Sequence, residues 1–581
     1  MKKNFWIFAV ALVCLAAACN KIEQNEIPVS GPVKVTYILA DGNENVSKAS
    51  IDGTDAHFSW NTADQIAVYT TTGGYKISDQ LEDTYNGTNA ATYAFSGAES
   101  VDESDRANFA VFPAGLVYDA LNNRYSTDVT ASSLKLNLPA SYLLSQVQGD
   151  ASPVPMIADN APNGVLAFKS LTALLRIDVV NVPKQTRRIE FDFNGKKVQG
   201  EFTLTGVAPG TSVIETGDTS DPDDIVTILT PDVSAFTALL TVNIPVPVGT
   251  YGDVTITAYD AASGGHAVLK LTRPIKTGTA WTPGRKDARK ITATLPVFSV
   301  SASKKVTFAP GNLQATYDGS SWSWDFAAHQ YDVIGNGAAN TSVTENSPYV
   351  SGNGTVDLFC WVGESGTLTD GVSAYGIYPG AYSVKEYFGT VIGEPLKHDW
   401  GHNTIGTYDP DIWRTPSGGT KAANWGDSEW YYVFLTRTAA SSGLPDGEDS
   451  AQARFVKATV CDKKGIIIFP DIYTHPAGVT VTGTPHYNYR SSACDVFVVA
   501  DDADWQKMEA AGAVFLPIGG NRSSNSVAQY PGWYWTSTSE HASISYVASY
   551  LKITEDSDTA FRGYGQARYC AQSVRLVRDL N

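Results

Sequence analysis

Cysteine, methionine and long apolar runs are all scarce in this chain of 581 residues. It has six cysteines and three methionines, and only 18% of its residues are charged. The cysteine spacings match no zinc-binding pattern, and neither a Gly-x-Ser-x-Gly elbow nor a phosphate-binding glycine loop occurs. No catalytic centre, cofactor or metal is therefore predicted. The formal charge of -18 argues against nucleic acid as a partner.

The N-terminus has the parts of a bacterial export signal in their usual order. Two lysines precede an apolar run at residues 5–18, which is too short to span a bilayer. Small residues then stand directly before Cys19, and this arrangement resembles a bacterial lipobox. The resemblance implies a signal peptide at 1–19, a lipid on Cys19 and a polar tether at 20–30. The alternative is an ordinary signal with a chance cysteine in its cleavage region.

Four other cysteines lie in the C-terminal half of the chain, namely Cys360, Cys461, Cys494 and Cys570. An exported chain permits disulfides, and four cysteines allow three pairings. Buried free thiols are the equal alternative, so the sequence leaves the pairing open.

Short alternating runs of apolar and polar residues dominate the chain after residue 31, with Asp-Gly, Asn-Gly and Gly-Gly turns between them. They predict β-strands, with clear examples at residues 33–39, 65–69, 174–180 and 240–244. Regular short strands with almost no helical period predict β-sandwiches. The composition changes near Pro296, and ten of the thirteen tryptophans lie beyond Lys304. The sequence therefore predicts three domains, at residues 31–165, 166–296 and 304–581.

The third domain contains the two convincing helix signals. Asp427 is a candidate N-cap for a helix through Trp430 and Phe434. Asp501 or Asp502 is a candidate N-cap for a second helix through Trp505, stopped by Gly512. Strands are expected at 514–516, 533–535, 546–551 and 573–577. The pattern predicts an α+β module in an otherwise mainly β chain.

Five segments of the first two domains occur in a familiar order, at residues 48–51, 58–60, 64–69, 168–177 and 281–295. Together with the lipobox they resemble the fimbrillin-like proteins of Bacteroidales, whose subunits are two tandem β-sandwiches. The resemblance implies that a trypsin-like protease removes the first strand and that a strand of another pilin subunit replaces it. The bond between Lys48 and Ala49 is the predicted cleavage site. The alternative is that Lys48 is a surface lysine in a turn.

A second ordered set lies in the third domain, at residues 306–313, 413–415, 512–522, 534–538 and 573–577. It resembles a C-type lectin-like module that is related to the sulfatase-modifying-factor fold. The Glu-Pro-Asn and Gln-Pro-Asp triplets of calcium-dependent lectins are missing, so no calcium-mediated sugar site is predicted. Aromatic side chains near polar loops are the candidate contacts for a glycan or a host protein, and they are Trp425, Tyr530 and Trp533. For each of them a core position is the competing interpretation.

Two further motifs have an ordinary interpretation that outweighs the chemical one. The spacing of His398 and His402 matches a zinc-protease helix, but Asp399 stands where the catalytic glutamate belongs and Gly401 disfavours a helix. A polar loop is therefore predicted. The acidic residues at 218–224 do not match an EF-hand spacing, so a solvated loop is predicted there.

The sequence predicts a cell-surface pilus subunit of the outer membrane, held there by its lipid anchor and assembled by strand exchange. Residues 573–577 are expected to be a core strand of the third domain, and a strand in that position is not free to enter another subunit. A subunit that accepts a strand without donating one ends a fibre, so the third domain would be a tip adhesin. The alternative is a non-polymerising lipoprotein that binds glycans, and a carbohydrate-processing enzyme is a third class.

Overall fold

The computed structural model describes residues 33–39, 49–52, 55–58, 60, 62, 64–70, 74–82, 90–96, 99, 109–119, 124–125, 133–148, 154–160, 166–205, 213–230, 237–337, 340, 354–361, 399–418, 428–435, 455–482, 497–523, 526–539, 547–554, 563–567 and 570–581. These residues form mainly short strands, as the sequence predicts. None of the helices in these ranges is long and apolar enough to cross a membrane.

The described residues of the N-terminal part form thirteen strands, a short helix at Leu144–Val147 and a 3-10 turn at Ala114–Val117. The strands are β1 (Val33–Leu39), β2 (Ala49–Asp52), β3 (Asp55–Phe58), β4 (Ala67–Thr70), β5 (Gly74–Ile77), β6 (Ala90–Phe95), β7 (Phe109–Phe112), β8 (Tyr118–Asp119), β9 (Arg124–Tyr125), β10 (Ser133–Leu138), β11 (Ser141–Leu143), β12 (Met156–Asn160) and β13 (Leu166–Ser170). Seven of them form one sheet in the order β5-β4-β7-β12-β13-β1-β6. Strands β2 and β3 form a separate hairpin.

Both faces of the seven-stranded sheet are covered, because alternate residues of its central strands enter two different cores. Val68, Phe112 and Met156 pack in a cluster around Trp60. Their strand neighbours, such as Val111 and Ile157, pack against leucines of β10 on the opposite side. Side chains that alternate between faces are expected for strands, so a sheet with two apolar faces needs two covering layers.

The middle of the chain has eight strands, and seven of them form a β-sandwich together with β11. The eight strands are β14 (Ala173–Val182), β15 (Arg188–Asp192), β16 (Gly200–Thr205), β17 (Ile225–Leu229), β18 (Thr237–Val246), β19 (Asp253–Tyr259), β20 (Ala267–Pro274) and β21 (Ala288–Thr294). One sheet has the order β11-β17-β15-β19-β20 and the other has the order β18-β14-β21, while β16 pairs with β10. Phe191 and Ile256 of the first sheet share a core with Ile177 and Ile244 of the second, so the two sheets pack face to face.

Strand pairing crosses the predicted domain boundary at residue 165 in both directions. Strand β13 lies beyond residue 165 but belongs to the seven-stranded sheet, and β16 pairs with β10. Strand β11 lies before residue 165 but pairs in parallel with β17 of the sandwich. The boundary itself stays a prediction of the sequence, while the pairing shows that the two units share strands.

The described residues of the C-terminal module form seventeen short strands and three helical segments. The strands are β22 (Phe298–Ser299), β23 (Lys305–Phe308), β24 (Leu313–Tyr317), β25 (Trp322–Phe326), β26 (Gly354–Val356), β27 (Phe359–Cys360), β28 (Phe455–Val460), β29 (Lys463–Ile468), β30 (Val498–Val499), β31 (Val514–Pro517), β32 (Asn521–Ser523), β33 (Ser526–Ala528), β34 (Gly532–Ser539), β35 (Val547–Ile553), β36 (Gly563–Ala567), β37 (Ala571–Gln572) and β38 (Val577–Asp579). The helical segments are Trp400–His402 (3-10), Glu429–Leu435 and Asp502–Ala510.

These strands form five small sheets, of three or four strands each. Their orders are β22-β23-β38, β25-β24-β26, β27-β37-β32-β33, β30-β28-β29-β31 and β34-β35-β36. The helix Asp502–Ala510 begins where the sequence predicts, since the Asp501 carboxylate accepts a hydrogen bond from Ala503 N, and Gly512 follows it with a φ of +94°. The α+β character is therefore as predicted, whereas the likeness to C-type lectins stays a prediction.

Candidate functional site

The first strand lies inside the seven-stranded sheet and not at its edge. Strand β1 pairs antiparallel with β6 over six positions, from Val33 opposite Phe95 to Ile38 opposite Ala90. On its other side Tyr37, Ile38 and Leu39 pair in parallel with the first residues of β13. Within the described residues β6 has no other ladder partner. Removal of β1 would leave a gap lined on both sides by unpaired backbone groups, which is a template for another strand.

An aromatic cluster lies at the two strands that border β1. The ring of Trp60 contacts Tyr93 of β6 at a centroid distance of 5.4 Å and Phe168 of β13 at 5.5 Å, both edge to face. It also contacts Phe112 at 5.3 Å. All four side chains are buried in one core. An empty position between β6 and β13 would therefore lie next to large apolar side chains, and exposing them to water is costly.

Ala49 is the first residue of β2, where it pairs with Phe58 of β3. Lys48 lies outside the described residues, as do the other residues between β1 and β2. The predicted cleavage at Lys48-Ala49 would therefore separate β1 from the remaining chain without breaking a strand. The hairpin of β2 and β3 contacts β21 of the sandwich, so it has its own attachment after such a cut.

The last described strand, β38, is held by two structural units at once. It pairs with β23, and Val577 also exchanges two backbone hydrogen bonds with Arg414. The following residue, Leu580, is fully buried in the core of the sandwich. Its carbonyl accepts a hydrogen bond from Lys184 N at 3.1 Å, and its own N–H donates to Lys305 O at 3.0 Å. The strand therefore lies at the junction of the sandwich and the C-terminal module.

Charged side chains reinforce this attachment. The Arg414 guanidinium donates to both oxygens of Glu429, at 2.6 and 2.7 Å, and to Asp579 at 2.7 Å. Burial alone would lower the pKa of Arg414, but the hydrogen bonds and charges of the two carboxylates outweigh it and hold the pKa above its usual value. Arg578 also forms an ion pair with Asp260 of the sandwich at 2.9 Å.

Sequence reasoning placed residues 573–577 in a core strand but did not identify the residues that anchor the segment. Residues 573–576 are buried, but the strand itself is Val577–Asp579. Before it, the carbonyl of Val574 accepts a hydrogen bond from Leu313 N, and that of Leu576 accepts one from Ala309 N. The available signal was the alternation of Ser573 and Arg575 with the apolar Val574 and Leu576. It does not reveal that Leu580 enters a different unit.

The predicted ligand contacts have different environments. Trp425 lies outside the described residues. Tyr530 is 53% exposed and precedes Pro531 in a loop, as a contact residue requires. Trp533 is half-buried: its ring stacks on Tyr550 at 4.5 Å, and the ammonium group of Lys552 lies 5.6 Å from the ring centroid. A sugar would have to displace one of these neighbours in order to stack on Trp533, so Tyr530 is the more accessible platform.

The described part of the histidine motif, residues 399–402, is a 3-10 turn that Asp399 caps. Asp399 is half-buried and accepts hydrogen bonds from Gly401 N at 3.0 Å and Thr415 N at 2.9 Å. Burial raises the pKa of this carboxyl, although these bonds act in the opposite direction. His402 is paired with Asp411, and His398 lies outside the described residues. Among the described residues, no group of three or more His, Cys, Asp and Glu side chains is placed to hold a metal ion.

The acidic loop at 218–224 also has local partners. Asp218 pairs with Lys196, while one oxygen of Asp224 accepts a hydrogen bond from Gly195 N at 2.9 Å. Asp218 and Asp221 are exposed, as in the predicted solvated loop, whereas Asp224 is buried.

Comparison with known proteins gives no family match. No family model and no curated protein matches the chain. Among solved structures, a candidate cell adhesion protein from Bacteroides ovatus is 12% identical, with 46% of this chain and 93% of that chain covered at a TM-score of 0.27. A fimbrial assembly protein from Parabacteroides distasonis is 12% identical, with 51% and 96% covered at 0.21. The tip fimbrial protein Mfa3 from Porphyromonas gingivalis is 12% identical, with 45% and 94% covered, also at 0.21. Because these TM-scores are low, the likenesses establish neither a family nor a function for this chain.

Proposed function

We propose that this chain is a fimbrial subunit of the cell surface that accepts a strand from another subunit in the position of Val33–Leu39. The observation that carries the proposal is the position of β1, which separates β13 from β6 in the middle of a sheet. A strand in this position can be exchanged only if it is first cut from the chain. The chain has a candidate bond for that cut at Lys48-Ala49, immediately before β2.

We propose further that the subunit ends a fibre and presents the C-terminal module at its tip. The support is the double attachment of Val577–Asp579, which would have to leave both β23 and Arg414 in order to pair with another subunit. The module is then the exposed part, with Tyr530 as a candidate contact for a glycan or a host protein. A lipid on Cys19 would anchor the precursor in the outer membrane before the cut.

A strand-replacement assay tests the acceptor function. The purified chain is cut with a trypsin-like protease, its new N-terminus is sequenced, and a fluorescent peptide of residues 31–41 is added. We expect Ala49 at the N-terminus and a rise in anisotropy as the peptide enters the gap. The matched control is Lys48→Ala, which keeps every other lysine and arginine. Without this cleavage site it should retain β1 and bind little peptide. Equal binding by the control would contradict the proposal.

Mass spectrometry of sheared fibres tests the tip position separately. A terminal subunit should occur once per fibre, so its ratio to the shaft subunits should fall as the fibres become longer. A ratio that stays constant as fibre length increases would place the chain in the shaft. A mature surface protein that still begins with lipidated Cys19 would instead favour the non-polymerising lipoprotein.

A further inference from the structure

The two ends of the seven-stranded sheet approach each other. Strand β6 is one end of the sheet and β5 is the other, and among the described residues β6 has only β1 as a ladder partner. Beyond β5 the chain continues to Asp79, whose backbone N–H donates to the carbonyl of Ala94 of β6 at 2.8 Å. Leu81 of the same segment shares the core around Trp60 with Tyr93 of β6. The sheet therefore curls around this core until its ends meet.

Two hydrogen bonds to side chains join the same ends. Ser96 Oγ donates to Asp79 Oδ1 at 2.8 Å. The backbone N–H of Ile77, the last residue of β5, donates to Glu99 Oε2 at 3.0 Å. These two bonds and the bond from Asp79 N to Ala94 O are called the β5–β6 latch below. None of the three hydrogen bonds involves β1, so removal of β1 leaves all of them in place.

The segment that carries Asp79 has an attachment of its own. Ser78 N donates to Ile66 O, and Ser78 Oγ accepts from Ile66 N, both at 3.0 Å. Leu81 N donates to Asp64 O, also at 3.0 Å. Ser78 and Leu81 are buried, whereas the side chain of Asp79 is exposed. The latch therefore ties β6 to a part of the sheet that is itself fixed by backbone bonds and burial.

We propose that the latch holds β6 in place when β1 is absent, so that Asp79, Ser96 and Glu99 are positioning residues for strand acceptance. This inference rests on the proposed acceptor function. Without the latch, β6 would lose its ladder partner together with β1, and the gap would lack one wall. An incoming strand would then have to order β6 as well as itself, at a cost in conformational entropy. With the latch the gap is already formed, and only the incoming strand has to be ordered.

Limited proteolysis of the cut chain tests the latch directly. The full chain is cut between β1 and β2, at Lys48 or at a specific protease site placed before β2, and the freed segment is removed. Chymotrypsin can cleave after Tyr93 and Phe95 only if β6 leaves the core in which both side chains are buried. We expect slow cleavage there, and about 3- to 10-fold faster cleavage in the double variant Asp79→Ala/Glu99→Ala. Fast cleavage in the cut chain without substitutions would overturn the proposal.

Peptide binding gives a readout that a merely structural role would not move. Once cut, the double variant Asp79→Ala/Glu99→Ala should bind the peptide of residues 31–41 about 3- to 10-fold more weakly, mainly through slower association, because a smaller fraction of the chain has a formed gap. The variant Asp79→Asn/Glu99→Gln removes the same charges but keeps both oxygen acceptors, so it should restore most of the binding. Glu82→Ala removes an exposed carboxylate of the same segment and should bind like the unaltered chain.

Comparison with the uncut chain separates positioning from general stability. In the uncut chain β1 also holds β6, so Asp79→Ala/Glu99→Ala should lower the urea midpoint less than it does in the cut chain. An equal decrease in both forms, or unchanged peptide binding by the double variant, would overturn the proposal while the acceptor function stands. A cut chain that protects β6 from chymotrypsin but binds no peptide would uphold the latch and contradict the acceptor function.

Discussion

Replacement of Arg414 by alanine should destabilise the C-terminal module by about 2–3 kcal/mol. Arg414 donates two hydrogen bonds to Glu429 and three to Asp579, so its loss leaves two carboxylates without their main partner. The side chain of Glu429 is only 11% exposed and would carry most of the cost, whereas that of Asp579 is 39% exposed and can be partly rehydrated.

The magnitude follows from these exposures. Loss of one partner from a fully buried ion pair costs about 3–5 kcal/mol, and partial exposure of Asp579 and of Arg414 itself places this site below that range. Lys304 provides the matched control, because its ammonium lies 3.5 Å from Glu429 and 3.4 Å from Asp579 but is 41% exposed. Lys304→Ala should therefore cost less than about 1 kcal/mol.

Urea unfolding followed by tryptophan fluorescence measures both variants. Ten of the thirteen tryptophans lie beyond Lys304, so the signal comes mainly from the C-terminal module. We expect a clear decrease of the urea midpoint for Arg414→Ala and a small one for Lys304→Ala. Equal decreases in the two variants would refute the reasoning. They would mean that Arg414 contributes no more to the free energy of unfolding than the exposed Lys304.

Three further predictions concern the same module. Leu580→Ala should destabilise by about 2–5 kcal/mol, since the side chain is fully buried in the sandwich core, and a urea midpoint equal to that of the unaltered chain would contradict its anchoring role. Burial raises the pKa of Asp579, but the hydrogen bond and charge of Arg414 outweigh this, so the folded pKa is lowered. Its stabilising contribution should therefore be complete above pH 4 and be lost as the pH falls through the folded pKa, with a weaker acid dependence in Arg414→Ala. Asp399→Ala should lower the free energy of unfolding by about 2 kcal/mol, because the N–H groups of Gly401 and Thr415 lose their acceptor. His402→Ala should be near neutral. A loss of stability in both variants that appears only when zinc is present would instead support a metal site.

Features that depend on neighbouring residues could be predicted from the sequence. The helix Asp502–Ala510 follows from a capping aspartate, apolar spacing and a terminal glycine, all within twelve residues. Strand β14 and strand β18 extend the predicted runs by a few residues at their ends. Trp430, Trp505 and Trp535 are buried, as their periodic positions indicate. These signals are local, so one sequence is sufficient to read them.

Features that depend on distant residues could not be predicted. The parallel pairing of β1 with β13 joins residues more than a hundred positions apart, and the pattern of either strand fits many partners. Arg414 and Asp579 are 165 positions apart, and nothing near either residue indicates the other. The position of Trp533 next to Tyr550 likewise depends on the register of β34 and β35, so an aromatic residue near polar loops could not be assigned to surface or core.

The first and last strands differ in what a replacement strand could restore. A strand that enters the place of β1 can form the same backbone ladder with β6 and β13, and its own apolar side chains can cover the same core. A strand that leaves the place of β38 regains backbone pairs in a new subunit but loses the burial of Leu580, worth about 1.5–3 kcal/mol, as well as the ion pairs of Arg578 and Asp579. On the proposed function we therefore expect exchange at Val33–Leu39 and not at Val577–Asp579, because a strand that leaves the second position gives up the burial of Leu580 and two ion pairs.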